Sequence, residues 1–412
     1  MDRSQMTEGS GPSGQSPREA HRVRLGAGVP RPLRSDSGPE ELCAICFGCG
    51  LERTDSPLVH RDCLAACLVC GDTRMIIDVR PARPPADAPP ANGASHVGPP
   101  PADPPSDLAP ESRAIFAMAD ELGLLDHDTS TVEGLRSSAR AERSMMGTPL
   151  TVGSVEDREI QSTRGSLRIR IYRPPGEPPR RAILWLHGGG WVIGDLDHAD
   201  TDCRGLCVET RSTVVSVDYG LAPEHRFPEG LEDAYSALEW LSAELASVPG
   251  SQQLVVGGDS AGGNLAAAVC LLARQRAGPT VDNQLLLYPV TSSDCDTSSY
   301  RDFAEGYLLT REMMQRFWSL YTRGPDAGRD SVASVLRATD LHGLPAATFV
   351  IAGCDVLRDE AESYAQRLRL AGVPVEVLRY PGQLHGFWTY RGASDIATAV
   401  NAEIRASLDA KR

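Results

Sequence analysis

Residues Leu254–Asn264 read LVVGGDSAGGN, a short apolar run that breaks into a glycine-rich turn with a serine at its centre. Two chemistries use such a turn. Backbone N–H groups of a glycine-rich loop can cradle a phosphate, or the turn can thrust a serine out of a sheet as a nucleophile. The phosphate loops of this kind carry a lysine, and Lys411 is the only lysine among the 412 residues. The same scarcity removes Schiff-base chemistry from the rest of the chain. The nucleophile reading fits G-x-S-x-G over Gly258, Asp259, Ser260, Ala261 and Gly262. Glycines flank the serine because side chains there collide with neighbouring backbone. Ser260 Oγ then stands at the start of the helix expected from AAAVCLLARQRA, where partial positive charge favours an oxyanion.

A serine is inert at its free pKa and needs a base, an acid to orient that base, and donors for the tetrahedral oxyanion. Such triads occur in several chain orders, and in one of them the acid and then the histidine lie downstream of the serine, each after a strand. TFVIAGCDVLRDE places Asp355 just past a strand end, and VEVLRYPGQLHGF places His385 after the next. Upstream, LWLHGGGW places His187 and Gly188, Gly189 and Gly190 after another strand. The expected oxyanion donors are the backbone N–H groups of Gly188, Gly189 and Ala261. His187, His225 and His342 compete with His385 as base but fall in turns that read as structural. Asp359 competes with Asp355, yet it falls where a carboxylate stabilises a helix start. Asp259 is expected to support the turn and to point away from Ser260.

These residues need a scaffold that presents strand ends on one side. AILWLH (182–187), TVVSVD (213–218), QLVVGG (253–258), QLLLYPV (284–290) and TFVIAG (348–353) are continuous apolar runs, the mark of parallel strands buried on both faces. LRIRIYRP (167–174) alternates as a half-exposed strand does. Helical stretches near 229–245, 261–275 and 358–371 lie between them. The alternation predicts a doubly wound α/β sheet with right-handed crossovers and an active site at the carboxyl ends of its strands. ESRAIFAMADELGLL (111–125) predicts an amphipathic helix with Ile115, Met118, Leu122 and Leu125 on one face. Residues 300–321 predict another, with Phe303, Tyr307, Leu308, Met314, Phe317 and Trp318 as candidate pocket walls. Most of these six read as ordinary packing. Trp191 reads equally as a packing residue or a pocket wall.

His187–Trp191 (HGGGW), Asp218–Pro228 (DYGLAPEHRFP), Gly258–Gly263 (GDSAGG), Asp355–Glu360 (DVLRDE) and His385–Phe387 (HGF) together resemble the hormone-sensitive-lipase-like family of α/β-hydrolases, which includes many bacterial carboxylesterases. The resemblance covers about residues 105–410. It implies a mostly parallel eight-stranded sheet and a helical cap, drawn from about 105–145 and from an insertion at about 294–325. It also implies an ester substrate with a short or medium acyl chain; the triad chemistry itself calls for no cofactor. The chain departs from the family at Gly220, where a larger residue, often arginine, is usual. The same triad serves an amidase, a deacetylase or an acyltransferase on a specialised metabolite. A ligand-binding relative without catalysis would be expected to show an altered triad, and every member is present here.

Composition sets the outer limits. With 41% apolar and 23% charged residues the chain reads as globular, and a net charge of −14 opposes binding to nucleic acid or an anionic membrane. No apolar run approaches the roughly 20 residues of a membrane helix, and the first twenty residues carry no apolar signal segment, so a cytoplasmic location is expected. A homodimer is left open. Residues 1–104 predict a disordered, Cys- and Pro-rich extension and linker, with 11 of the 31 prolines between 81 and 110. Residues 105–412 form the expected hydrolase domain. Six of the 11 cysteines lie between Cys43 and Cys70. Cys43, Cys46, Cys67 and Cys70 approach a four-thiolate zinc pattern, blurred by Cys49, Cys63 and His60; the other reading is unstructured sequence, for which a start site placed too far upstream, with Met75 as a candidate true start, is one origin.

Overall fold

The computed structural model describes residues 107–126, 129–177, 179–247 and 252–410, together with the backbone of 40–46, 52–53 and 75–81. The chain divides into two compact units, Met1–His96 and Val97–Arg412. In the first, strands Glu40–Cys46, Glu52–Arg53 and Met75–Pro81 pair antiparallel, with Glu40–Cys46 in the middle. Cys43 and Cys46 fall on that middle strand, whereas Cys67 and Cys70 lie outside the described residues; of residues 1–104, expected to be a disordered extension, these three strands are described and the rest lies outside.

The second unit is built on eight strands: β1 (Ser154–Ser162), β2 (Gly165–Arg173), β3 (Arg181–Leu186), β4 (Thr213–Val217), β5 (Gln253–Asp259), β6 (Asn283–Leu287), β7 (Ala346–Cys354) and β8 (Val375–Leu384). Their order in the sheet is β1-β2-β4-β3-β5-β6-β7-β8. β2 runs antiparallel to β1 and β4, and all other neighbours are parallel. The central strands are buried on both faces, so successive side chains feed two core layers: Ala182, Leu184 and Leu186 enter one, and Ile183 and Trp185 the other. That is why these strands read as continuous apolar runs.

Helices α3 (Asp200–Thr210), α4 (Glu229–Ala246), α5 (Ala261–Gln275), α9 (Arg358–Leu370) and α10 (Ile396–Ala410) cover the sheet. They follow α1 (Pro110–Glu121) and α2 (Val132–Glu142), which lie before the sheet in sequence. Helices α6 (Ser298–Asp302), α7 (Arg311–Tyr321) and α8 (Pro325–Gly328) form the insertion between β6 and β7. Residues 300–321 are thus two helices rather than one. The chain turns at Gly306 and Leu308, both at positive φ (83° and 65°), and restarts where Thr310 Oγ1 accepts from Met313 N–H at 3.1 Å. α1 also differs from expectation. Its buried face is Ser112, Ile115, Phe116 and Ala119, and Leu122 is exposed because the helix ends there, before Gly123 at φ 66°.

Gly220 finds its explanation in packing. A Cβ there would lie 2.9 Å from the guanidinium nitrogens of Arg164, which bonds Asp233 and Glu229. Among the described residues no helix is long and apolar enough to cross a membrane.

Candidate active site

The sheet brings the three expected site residues to one edge. Ser260 follows β5, Asp355 follows β7 and His385 follows β8. The ends of β7 and β8 are paired, Cys354 with Leu384, so the register alone sets Asp355 beside His385. Ser260 adopts φ 53° and ψ −119°, a conformation outside the helical and extended regions. The bend is held from both sides: Ser260 N–H donates to Leu287 O at 2.9 Å, and Ser260 O accepts from Asn264 N–H at 3.1 Å and Val290 N–H at 3.2 Å. Asn264 Nδ2 donates to Val290 O and Ala333 O, fixing the first turn of α5 against the chain that leaves β6. Room for the bend comes from its glycines. A Cβ on Gly262 or on Gly258 would meet the Leu186 carbonyl oxygen well inside contact distance.

From Ser260 the hydrogen-bond relay is continuous. Ser260 Oγ lies 2.9 Å from His385 Nε2, and His385 Nδ1 lies 2.7 Å from Asp355 Oδ2. Asp355 is 2% exposed, and its other oxygen accepts Leu357 N–H at 2.9 Å, which fixes the carboxylate plane. With Nδ1–H donated to the carboxylate, Nε2 is the acceptor that faces the serine hydroxyl. The His385 ring is flanked edge-on by Tyr288, with centroids 4.8 Å apart. Ser260 itself is 8% exposed, so the charges that develop during reaction are shielded from bulk water.

The glycines after β3 divide their work. Gly188 N–H donates to Asp259 Oδ1 at 2.9 Å and is spent on the turn. Among the described residues, the N–H groups of Gly189, Gly190 and Ala261 have no acceptor. Gly189 and Gly190 sit at φ 106° and 58°, backbone that side chains rarely allow. Asp259 turns away from Ser260 to hold Gly188, and burial pushes its carboxyl up to about 6 against the pull of that N–H.

The competing groups are committed elsewhere. His187 is buried, stacks on Tyr219 at 4.4 Å and has its pKa lowered by burial. His225 Nδ1 lies 3.0 Å from Glu229, and His342 is exposed beside Asp340. Asp359 accepts Ser299 N–H at 2.7 Å near the start of α9. Trp191 is a packing residue that joins the glycine loop to the cap: it stacks on Tyr321 at 4.2 Å and 4° and meets Trp318 at 4.6 Å. Phe317, also on α7, lies directly over Gly190, where a Cβ would strike its ring.

Three contributors escape a sequence reading. Glu360 is fully buried and accepts the N–H groups of Thr291 and Ser292. Ser112 and Gln383, 271 positions apart, share a buried hydrogen bond of 2.7 Å beside the histidine loop. The one signal for Ser112 is a hydroxyl in phase with the apolar face of α1.

A model of the alpha/beta hydrolase fold family matches residues 183–389. The chain is 44% identical over 262 residues to the carboxylic ester hydrolase LipN of Mycobacterium tuberculosis, a match spanning 61% of this chain and 69% of that protein. It is 39% identical over 228 residues to an ethyl acetate hydrolase of Pseudomonas putida, 54% of this chain and 71% of that one. Among solved structures, an ester hydrolase from the metagenome of Lake Arreo, complexed with a derivative of bipyridine phosphonate, superposes with a TM-score of 0.68 at 34% identity. That match covers 74% of this chain and 98% of the other.

Proposed function

The chain belongs to the hormone-sensitive-lipase-like family of α/β-hydrolases, and from that premise we propose that it is a serine carboxylesterase acting on short- to medium-chain esters through an acyl-enzyme. His385 Nε2 takes the Ser260 proton as Oγ attacks the ester carbonyl carbon. The carbonyl oxygen becomes an oxyanion within reach of the N–H groups of Gly189, Gly190 and Ala261. Gly190 replaces Gly188 in the expected set, because the Gly188 hydrogen is already held by Asp259. Asp355 stabilises the imidazolium and keeps Nε2 aimed at the serine. The alcohol departs with the proton from His385, and water then attacks the acyl-enzyme with His385 again as base, releasing the acid and regenerating Ser260. We place this chemistry in residues 105–412, acting on small-molecule esters in the cytoplasm.

One observation carries the proposal: the relay of 2.9 and 2.7 Å from Ser260 to Asp355, opening onto backbone N–H groups without protein acceptors. Its support by kinship is that relatives covering most of their own length are carboxylic ester hydrolases by name. The test is a panel of p-nitrophenyl esters from acetate to palmitate, run on the protein and on Ser260→Ala. Turnover is expected to peak at short or medium chains and to fall at least about 1,000-fold in the variant. Undiminished activity of Ser260→Ala, or a folded wild-type protein inert to every ester, would overturn it.

A further inference from the structure

We propose that Ser112, on the first turn of α1, is a positioning residue for the catalytic histidine, acting through the backbone of Leu384. The inference rests on His385 being the general base of the proposed reaction.

Leu384 is the last residue of β8 and the immediate neighbour of His385. Its N–H donates to Ser112 Oγ at 2.9 Å, and the Ser112 hydroxyl donates onward to Gln383 Oε1 at 2.7 Å. Gln383 Nε2 in turn donates to Glu111 Oε2 at 3.1 Å. One residue earlier, Gly382 O accepts Ala109 N–H at 2.8 Å. Residues 109–112 thus lie along 382–384 with four hydrogen bonds, and Ser112, Gln383 and Leu384 are all nine-tenths or more buried. A hydroxyl is the one small side chain that can accept from a backbone N–H and donate to an amide oxygen at once. Gly382 fits the same contact: it sits at φ 75°, and a Cβ would lie 2.8 Å from Ala109 N.

The clamp matters because of where β8 lies. Among the described residues it is an edge strand, with β7 on one side and no strand on the other. At its last residue, α1 holds the chain where a further strand would otherwise do so. Without the hydroxyl, the buried Leu384 N–H and the Gln383 oxygen lose their partners, a costly state that a small shift of the loop can relieve. His385 rides on that loop, and its Nε2 must stay at hydrogen-bond distance from Ser260 Oγ; a misplacement of about 1 Å costs on the order of 100-fold in rate.

The test compares Ser112→Ala with Ser407→Ala, a buried serine on α10 that bonds Thr348 and Glu376 away from the triad. Ser112→Ala is expected to lower kcat by about 10- to 100-fold with KM within about twofold. The rate at which a fluorophosphonate labels Ser260 is expected to fall in proportion, since labelling also needs the base. Ser407→Ala is expected to lower Tm comparably while kcat stays within about twofold. Ser112→Thr, which keeps the hydroxyl, is expected to recover most of the loss. A kcat for Ser112→Ala within twofold of wild type overturns the proposal, as does an equal kcat loss in Ser407→Ala. Should Ser112→Ala fail to fold, Gln383→Leu carries the test: a several-fold fall in kcat at constant KM supports the clamp, and no fall overturns it. Ser260→Ala, assayed alongside, separates the two claims. If it stays active, the reading of the site fails; if it is dead and Ser112→Ala is unimpaired, only the positioning role fails.

Discussion

At the scale of single residues, the site is a problem of clearance before it is one of charge. Ser260 reaches its φ of 53° only because Gly258 and Gly262 leave space beside the Leu186 carbonyl. The obstructing atom is backbone on a central strand, so it cannot swing aside as a flexible side chain would. Gly262→Ala is therefore expected to destabilise the protein by about 3 kcal/mol or more and to lower ester turnover even at temperatures where it remains folded. Thermal denaturation together with kcat at 15 °C checks this; a variant with wild-type Tm and kcat would mean the elbow has slack. Ser260, Asp355 and His385 can be picked out of the sequence because each stands directly after a strand, Ser260 and Asp355 after continuous apolar runs and His385 after the alternating VEVLRY. The duty of Gly188 was not legible. Whether its N–H is free depends on the direction of the Asp259 side chain, which no spacing rule encodes. Ser112 was hidden for a different reason: its partner is 271 positions away, and only the closed fold brings them together.

At the scale of elements, helix α7 covers part of the glycine loop. Trp191 rises from the loop into the aromatic group of Trp318 and Tyr321, and Phe317 covers Gly190. Burying aromatic side chains of this size contributes about 1.5–3 kcal/mol each, enough to hold the cap helix against the core. Phe317→Ala removes the ring over Gly190 but leaves the stacked pair of Trp191 and Tyr321 in place. The expected result is a rise of about 10-fold or more in the ratio of kcat/KM for p-nitrophenyl octanoate over acetate, with a loss of stability of about 3–5 kcal/mol. An unchanged ratio would show that the acyl chain runs elsewhere. The sheet itself was readable from its apolar runs. The cap is harder to read: the apolar spacing over 300–321 carries across Gly306 and predicts one helix, whereas the chain breaks at positive φ at Gly306 and Leu308. Periodicity reports which face is buried and says little about where the backbone turns.

At the scale of the whole molecule, a buried carboxyl couples the core to the pH of the solution. Glu360, in the first turn of α9, lies at 0% exposure and accepts the N–H groups of Thr291 and Ser292, where the chain leaves β6 for the cap insertion. Burial pushes its pKa up to about 8, against those two N–H groups and with help from nearby Asp355. In the unfolded chain the same carboxyl returns to its ordinary value of 4.5. Between these limits the folded state holds a proton that the unfolded state has lost. The stabilisation from the neutral carboxyl is therefore complete below about 4.5 and disappears as pH rises through about 8, at up to about 1.4 kcal/mol per pH unit. Asp259, raised to about 6, adds a slope of the same sign at lower pH. Glu360→Gln keeps an oxygen that can accept from Thr291 and Ser292 and removes the titration. Wild-type Tm is expected to fall between pH 6 and pH 9, and the fall in Glu360→Gln to be smaller by several degrees, because the amide needs no proton to remain neutral in the core. Parallel Tm curves for the two proteins across that range would show that Glu360 is already ionised when folded, with its charge compensated by the Thr291 and Ser292 amides.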